Sequence, residues 1–173
     1  DGTSAHGQDI TISAGCTRGA CSFCSEGQLA GGWKEKPLEE LMTGMDDIKK
    51  YAAGNNIGFV SYNLNYYYRF LDLLREAAIR FGNLSLINQR TDVIAASPEY
   101  LRLAKVMGLV RVSMAVEGMG DRVRNQILNK NLSREQLMQA VRHVMAGKYT
   151  VLKMGMIVTA LETEDDIKSW IDE

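Results

Sequence analysis

Hydrophobic and polar positions along the chain follow two spacings, one typical of buried strands and one typical of amphipathic helices. Short β-branched and apolar runs predict strands, and longer segments with apolar positions three and four residues apart predict helices between them. The predicted strands cover residues 9–13, 57–61, 84–88, 109–116 and 150–158. The predicted helices cover residues 38–53, 66–81, 98–107, 121–128 and 133–145, and a last helix opens at 163.

Several helix ends carry recognisable capping signals. Ser97 precedes Pro98, so we expect Ser97 to cap the third helix and Pro98 to occupy its first position. Ser133 and Gln136 have the spacing of a capping box. Acidic residues at 164–166 would lie at the positive end of the last helix dipole. These signals support the boundaries read from the periodicity.

The regular alternation of strands and helices predicts an α/β fold, with a parallel sheet and helices outside it. No repeat, linker or low-complexity tract interrupts the series, so we expect one domain over residues 1–173. Right-handed crossovers would wind about five βα units into most of a six-unit, partly open barrel. Such a barrel leaves an unpaired strand edge. We therefore expect the domain to be incomplete at its C-terminus, with the missing strand supplied by further chain or another subunit.

Composition narrows the function classes. Of 173 residues, 46% are hydrophobic, which supports a large core. The 20 basic and 21 acidic residues give a net charge of −1, so nothing indicates a nucleic-acid or anionic-membrane partner. No apolar run reaches the roughly 18 residues of a membrane span, and no signal peptide is evident. The clustered cysteines do not resemble a secreted disulfide framework, so we expect a cytoplasmic protein.

Candidate chemistry is concentrated in one loop. Cys16, Cys21 and Cys24 lie within nine residues after the first predicted strand, and the chain has no other cysteine. In parallel α/β folds the C-terminal ends of the strands carry the active site. Three thiolates are one fewer than a structural zinc site or a simple ferredoxin cluster uses. On a [4Fe–4S] cluster, three thiolates would leave one iron free to bind another ligand.

The cysteine loop resembles the motif of the radical S-adenosylmethionine (SAM) enzymes, CxxxCxxC with an aromatic residue before the third cysteine. The segment from Cys21 to Cys24 matches the second half, with Phe23 as the aromatic residue. The first spacing differs, because four residues instead of three separate Cys16 from Cys21. The resemblance extends from about Ile10 to the end of the chain.

Further segments strengthen this resemblance. Glu117 ends a segment similar to the family's fourth strand, and residues 155–162 follow its GxIxGxxE pattern except that Thr159 replaces the second glycine. Residues 90–92 and 97–101 resemble the third βα unit of many members. The character is closest to the branch that contains cobalamin-binding and methylthiotransferase-like proteins.

The resemblance implies an enzyme built on a partial (β/α)6 TIM-like barrel. Cys16, Cys21 and Cys24 would hold three irons of an oxygen-sensitive [4Fe–4S] cluster, and SAM would bind the fourth. The reduced cluster would cleave SAM into methionine and a 5′-deoxyadenosyl radical that takes hydrogen from an unidentified substrate, while the protein supplies orientation. A reductant such as flavodoxin or ferredoxin is implied as a partner. Cobalamin is implied as a further cofactor only through a domain outside this chain.

The resemblance also assigns residues to the surroundings of SAM. Phe23 and Ile157 are expected near the adenine ring. Ser61 and Asn63 occupy the turn where the family often carries a Gly-Gly-Glu segment that holds the SAM amino group. By default both are ordinary turn residues.

Two charged residues complete this expected set. Glu117 would bind a ribose hydroxyl or the SAM ammonium, although pairing with a neighbouring basic side chain is an equally simple role. Arg124 would meet the SAM carboxylate through a charge-assisted hydrogen bond. Its alternative is a solvated position on the surface.

Another class of function stays open at this point. A non-catalytic iron–sulfur electron-transfer or metal-binding module would also use clustered cysteines. Plant-type ferredoxins share the C-x4-C-x2-C spacing but need a distant fourth cysteine. A zinc site would need His6 or His143 as its fourth ligand. Only the enzyme requires a cluster iron that no protein ligand occupies, so this open position distinguishes the enzyme from the non-catalytic alternatives.

Overall fold

The computed structural model of the chain describes residues 8–26, 32–52, 54–87, 89–118 and 120–172. The strands in this part of the chain are β1 (Gln8–Thr11), β2 (Ser13–Ala14), β3 (Lys34–Glu35), β4 (Asn56–Val60), β5 (Asn83–Leu86), β6 (Arg111–Glu117) and β7 (Val151–Met156). The α-helices are α1 (Leu38–Tyr51), α2 (Phe70–Arg80), α3 (Thr91–Ala96), α4 (Glu99–Val106), α5 (Arg134–Ala146) and α6 (Glu164–Asp172). A 3-10 helix covers Leu64–Tyr66, and a π-helix covers Arg122–Ile127.

The main strands are parallel, which confirms the predicted α/β class. β1, β4 and β5 form one parallel sheet in the order β1-β4-β5, and β6 pairs with β7 in a second. An isolated parallel bridge between Gln89 and Met114 lies where the two sheets meet. Within the described residues the strands do not close into a barrel, and β7 pairs with β6 alone.

Burial along the strands explains how the sheets are held. In β4, the consecutive residues Ile57, Gly58 and Phe59 are all buried, as expected for a strand covered on both faces. In β6, burial alternates, with Val112 and Met114 among the fully buried positions. The apolar faces of the helices pack together outside these strands, α1 against α2, α2 against α4 and α3 against α5.

Some predicted boundaries are wrong. The helix predicted over 66–81 begins at Phe70, because the 3-10 helix Leu64–Tyr66 and a turn precede it. Ser97 does not cap α4; its backbone N–H donates to the carbonyl of Val93 and ends α3, a helix that the periodicity did not predict. The segment predicted as helix over 121–128 is helical but of the π type.

Other local features confirm or extend the predictions. Ser133 and Gln136 make both hydrogen bonds of the predicted capping box at α5. β2 and β3 form an antiparallel pair that the sequence did not predict. Within the described part of the chain, no helix is both long and apolar enough to cross a membrane. His6 and Asn88, which entered the predictions, lie outside the described residues.

Candidate active site

A cavity of about 300 Å³ lies at the C-terminal ends of the parallel strands. The three cysteines line it from the loop that follows β1 and β2. The segments that follow β4 and β5 and the end of β6 supply most of the opposite wall, at 62–63, 89–92, 115 and 117. Because parallel strands end at the same edge, residues far apart in sequence meet around one space.

The base of the cysteine loop is closed by the β2–β3 pair, in which Ser13 lies opposite Glu35 and Ala14 opposite Lys34. Gly15 leaves this pair with φ of 76°, a left-handed conformation that favours glycine. A Cβ at this position would lie 1.9 Å from the carbonyl oxygen of Gly32. The glycine therefore lets the chain turn directly into Cys16.

The three thiols are free and partly buried, and their surroundings differ. Burial would raise the pKa of Cys16, but backbone N–H groups of Gly19 and Arg18 and the charge of Arg90 hold it below the ordinary thiol value. Burial raises the pKa of Cys21, and the charges of Lys130 and Arg18 offset this only in part. Because thiolates are the metal-binding form, these surroundings favour that form more at Cys16 than at Cys21.

Arg90 connects the cysteine loop to the wall after β4. Its Nη1 lies 3.1 Å from Thr17 Oγ1 and 3.1 Å from Asn63 Oδ1. Its Nε and Nη2 donate to the two carboxylate oxygens of Asp92 at 2.9 and 2.6 Å. This bidentate pair partly offsets the cation, and the remaining donor of Arg90 orients Asn63.

A chain of hydrogen bonds sets the orientation of Gln89. The backbone N–H of Arg90 donates to Asn65 Oδ1 at 2.7 Å, so the amide nitrogen of Asn65 must face the other way. That nitrogen donates to the carbonyl of Arg90 at 3.0 Å and to the Tyr100 hydroxyl at 3.3 Å. The hydroxyl proton of Tyr100 is then directed to Gln89 Oε1 at 2.6 Å. The Nε2 of Gln89 is therefore its unengaged end.

Two amide nitrogens on the cavity wall have no acceptor among the described residues. They are Gln89 Nε2 and Asn63 Nδ2, and both residues are at least nine-tenths buried. Each is oriented through its oxygen, which accepts from Tyr100 or Arg90 respectively. A buried donor without a partner costs about 1–3 kcal/mol, so acceptor atoms from a ligand would stabilise both.

Glu117 lies at the end of β6 in an unusual backbone conformation. Its φ is 69°, and the β6–β7 register shifts between Ala115 and Glu117. Its carboxylate pairs with Lys130 Nζ at 3.1 Å, so the simple pairing role considered from the sequence is realised. Lys130 Nζ also lies 5.9 Å from the centre of the Phe23 ring, and all three residues line the cavity.

A family model described as the Radical SAM superfamily matches residues 10–173 of the chain. This chain belongs to the radical SAM superfamily. The family and enzyme class predicted from the cysteine loop are therefore confirmed. A search of curated proteins finds no match.

Solved structures of radical SAM enzymes share the fold. The cobalamin-dependent radical SAM enzyme OxsB, with aqua-cobalamin and SAM bound, is similar with a TM-score of 0.78 and 18% identity over 96% of this chain. The radical SAM methyltransferase TsrM from Kitasatospora setae, with cobalamin and a [4Fe–4S] cluster bound, gives a TM-score of 0.70 and 15% identity over 96% of this chain. The chain spans 26% of OxsB and 34% of TsrM.

The donor set of the cavity fits the cofactors of radical SAM proteins. Three free thiols share one wall, and the unpartnered amides of Gln89 and Asn63 offer hydrogen bonds on another. Among the described residues, no group of three or more His, Cys, Asp and Glu is close enough to hold a single metal ion. His143 lies on α5 beside the carbonyl of Ile94 and does not line the cavity, which disfavours a zinc site completed by it.

Three of the expected SAM residues do not line the cavity. Ser61 is buried behind it, with its Oγ 2.6 Å from Ser13 Oγ and accepting from the N–H of Asn63 at 3.0 Å. The N–H of Ile157 donates to the carbonyl of Glu117 at 2.9 Å. Both residues therefore hold the backbone of a residue that does line the cavity.

Arg124 is fully buried, so its alternative as a solvated surface residue is wrong. Its Nε donates to the carbonyl of Leu132 at 2.6 Å and its Nη1 to that of Gly118 at 3.0 Å. The guanidinium thus bonds main chain on both sides of the π-helix. The expected contact with the SAM carboxylate stays a prediction, and this position gives it no support.

Sequence reasoning assigned no role to several cavity residues. Gln89, Arg90 and Lys130 line the cavity together with Tyr62, yet none was among the candidates. The position of Gln89 and Arg90 just after the third predicted strand was an available signal, because that edge carries the chemistry in parallel folds. Lys130 lies in a turn whose approach to the cysteine loop depends on contacts across more than a hundred residues.

Proposed function

We propose that the chain is a radical SAM catalytic core in which Cys16, Cys21 and Cys24 hold a [4Fe–4S] cluster and the adjoining cavity holds SAM. The observation that carries this proposal is the meeting of three free thiols and two unpartnered amide donors around one space of about 300 Å³. Reductive cleavage of SAM into methionine and a 5′-deoxyadenosyl radical is the chemistry that these groups supply when bound.

In this proposal, the residues of the chain bind SAM and orient it. Gln89 and Asn63 donate to acceptor atoms of SAM, and their directions are fixed by Tyr100 and Arg90. Such preset donors lose little freedom when the ligand binds. Glu117 accepts from a ribose hydroxyl or the ammonium of SAM.

The remaining candidate residues contact the adenine ring of SAM or support the backbone of residues that line the cavity. Phe23, which is 40% exposed and lines the cavity, covers the adenine or the cluster and excludes water. Ser61 holds the backbone of Asn63, and Ile157 holds that of Glu117. In this arrangement Arg124 supports the turn after the π-helix through its bonds to the carbonyls of Leu132 and Gly118.

The similar structures suggest what else the whole protein uses. We infer that it also depends on cobalamin, held outside these residues, because OxsB and TsrM are both described with cobalamin bound. A flavodoxin or ferredoxin would deliver the electron. Cobalamin content of the intact protein, reconstituted with and without added cobalamin, tests the first inference, and a protein that takes up none contradicts it.

The decisive experiment is anaerobic reconstitution of the intact protein with iron and sulfide. We expect cluster loading in the unaltered protein, and 5′-deoxyadenosine after addition of dithionite and SAM. Cys21→Ser should abolish both, whereas Ser25→Ala in the same loop should abolish neither. A folded protein that takes up no cluster contradicts the proposal.

A non-catalytic module predicts another outcome. An electron-transfer protein would load a stable cluster and leave SAM intact under the same reducing conditions. That result, obtained with intact protein and excess reductant, would replace the enzyme by the electron-transfer alternative.

A further inference from the structure

The loop that carries the cysteines rests on a turn more than a hundred residues away. This docking turn, residues 127–131, begins at the last residue of the π-helix. Ser22, between the second and third cysteines, donates from its Oγ to the carbonyl of Ile127 at 2.8 Å and from its backbone N–H to that of Leu128 at 3.2 Å. The short Cys21–Cys24 interval is thus tied to main chain of the docking turn.

The longer interval between Cys16 and Cys21 is tied to the same turn. Arg18 Nη1 donates to the carbonyl of Lys130 at 2.8 Å, and its Nη2 lies 3.4 Å from Asn129 Oδ1. Asn129 Nδ2 returns a bond to the carbonyl of Ala20 at 2.7 Å. Both of these loop residues lie within the four-residue spacing that departs from the family motif.

The docking turn is itself held firmly. Asn125 accepts from the N–H of Leu132 at 2.9 Å and donates to its carbonyl at 3.0 Å, which clamps the end of the turn. The fully buried Arg124 bonds the same carbonyl. Asn129 has φ of 49°, a left-handed conformation that asparagine tolerates better than most residues.

We propose that the docking turn is a second anchor for the iron-binding loop, with Arg18 and Asn129 as positioning residues that fix Cys21 relative to Cys16. This inference rests on the proposed function, since it concerns how that cluster is held. A loop with an extra residue has more freedom to lose when it binds iron. The cross-bonds to a rigid turn remove that freedom before the cluster arrives.

The same turn reaches the other side of the cavity. Lys130, whose carbonyl accepts from Arg18, pairs through its side chain with Glu117 at 3.1 Å. A ligand that binds Glu117 therefore acts on a residue that also holds the cysteine loop. The geometry links the expected nucleoside side of the cavity to the cluster side through one residue.

The test compares cluster lability in the intact, reconstituted protein and its variants. Asn129→Gly keeps the left-handed backbone and removes both side-chain bonds, and Arg18→Ala removes the partner side chain. Each should release iron to a ferrous chelator about tenfold faster than the unaltered protein, the effect of one net hydrogen bond of about 1.4 kcal/mol. Lys148→Gly, at a left-handed position with φ of 51° remote from the cavity, is the matched control and should leave the rate unchanged.

A second readout separates positioning from general stability. Arg18→Ala removes a positive charge near the cluster and should lower its midpoint potential, because the reduced cluster is the more negative form. Arg18→Lys keeps the charge and should restore the potential while iron release stays fast. Melting temperatures of the iron-free proteins should agree across the set.

The outcomes distinguish this inference from the proposed function. If the unaltered protein loads a cluster and the Arg18 and Asn129 variants release iron at its rate, the anchor is overturned and the proposed function stands. If the unaltered protein loads no cluster, both are overturned. Fast release in these variants, with the control unchanged, supports the anchor.

Discussion

At the scale of single residues, the site depends on which end of each buried amide is left without a partner. The direction at Gln89 follows from a backbone N–H through Asn65 and Tyr100, three residues whose sequence positions carry no such signal. The same holds for basic side chains. The sequence pointed to Arg124 and not to Arg90, yet Arg90 lines the cavity, whereas Arg124 is buried and bonds main-chain carbonyls. The role of the cysteines could be predicted because their pattern is local in the sequence. The orientation of these amides and arginines could not, because it depends on contacts between separate segments.

The first prediction concerns the unpartnered amide of Gln89. Gln89→Met keeps the approximate volume and removes the donor, so affinity for SAM should fall about tenfold, the effect of one lost hydrogen bond to a ligand. Tyr100→Phe should cause a smaller loss, because the Gln89 amide stays but is no longer held in one orientation. Equilibrium binding of SAM to reconstituted protein provides the measurement.

Gln126→Met is the control for this substitution. Gln126 is exposed on the π-helix and does not line the cavity, so its replacement should leave SAM affinity unchanged. Iron content should be the same in all three variants. Equal SAM affinity for Gln89→Met and the unaltered protein would show that the amide binds no ligand atom.

At the scale of elements, the parallel strands and most helices follow from hydrophobic periodicity, which is set within each segment. The elements missed depend on other parts of the chain. β2 and β3 are two residues each and exist because they pair with one another. α3 is six residues long, and it packs against α5, forty residues further along the chain. Short elements carry too few positions for a period to show, so only the folded chain reveals them.

The second prediction concerns Gly15 at the exit from β2. Gly15→Ala should destabilise the protein by about 1–3 kcal/mol, because alanine would be held at positive φ and its Cβ would clash with Gly32. Urea unfolding of the iron-free protein measures the loss. Because the glycine leads into Cys16, cluster loading should also fall.

Gly44→Ala provides the comparison. Gly44 lies in α1, and the nearest atom to an added Cβ there is Ile10 Cδ1 at an ordinary 3.7 Å. Alanine favours helix over glycine by up to about 1 kcal/mol, so this variant should be neutral or more stable. A Gly15→Ala protein as stable as Gly44→Ala would contradict the conformation assigned to the loop entrance.

The third prediction concerns the attachment of α6 and its dependence on pH. Asp166 accepts from Arg122 Nη2 at 2.6 Å and from the N–H and Oγ1 of Thr163, each at 2.7 Å. These partners, Arg122 first, hold the pKa of Asp166 well below its usual range. The stabilisation is therefore complete above the unfolded-state pKa, about 3.9, and is lost as the pH falls through the lower folded-state pKa.

Amide hydrogen exchange tests this attachment. Asp166→Asn should speed exchange in α6 at neutral pH, whereas the exposed neighbour Asp165→Asn should change it little. The difference between Asp166→Asn and the unaltered protein should shrink below about pH 4, where the carboxylate begins to be protonated in unfolded chains. Exchange in α6 that is equal in both variants at neutral pH would exclude the Arg122–Asp166 pair as its anchor.

At the scale of the whole molecule, the candidate site forms where separate strand ends meet. The cysteine loop after β1 and β2, the turns after β4 and β5 and the end of β6 surround one cavity, although their residues are spread over more than a hundred positions. The predicted alternation of strands and helices was sufficient to place the cysteines at this edge. The docking of their loop on residues 127–131 required the folded structure.

The central claim is that three cysteines leave one iron of the cluster open for SAM. The most direct measurement is the electron paramagnetic resonance spectrum of the reduced, reconstituted protein before and after SAM is added. We predict a [4Fe–4S]⁺ signal whose shape and g-values change on addition of SAM, because the proposal has SAM bind the open iron. A reduced cluster with a spectrum unchanged by saturating SAM would contradict the claim.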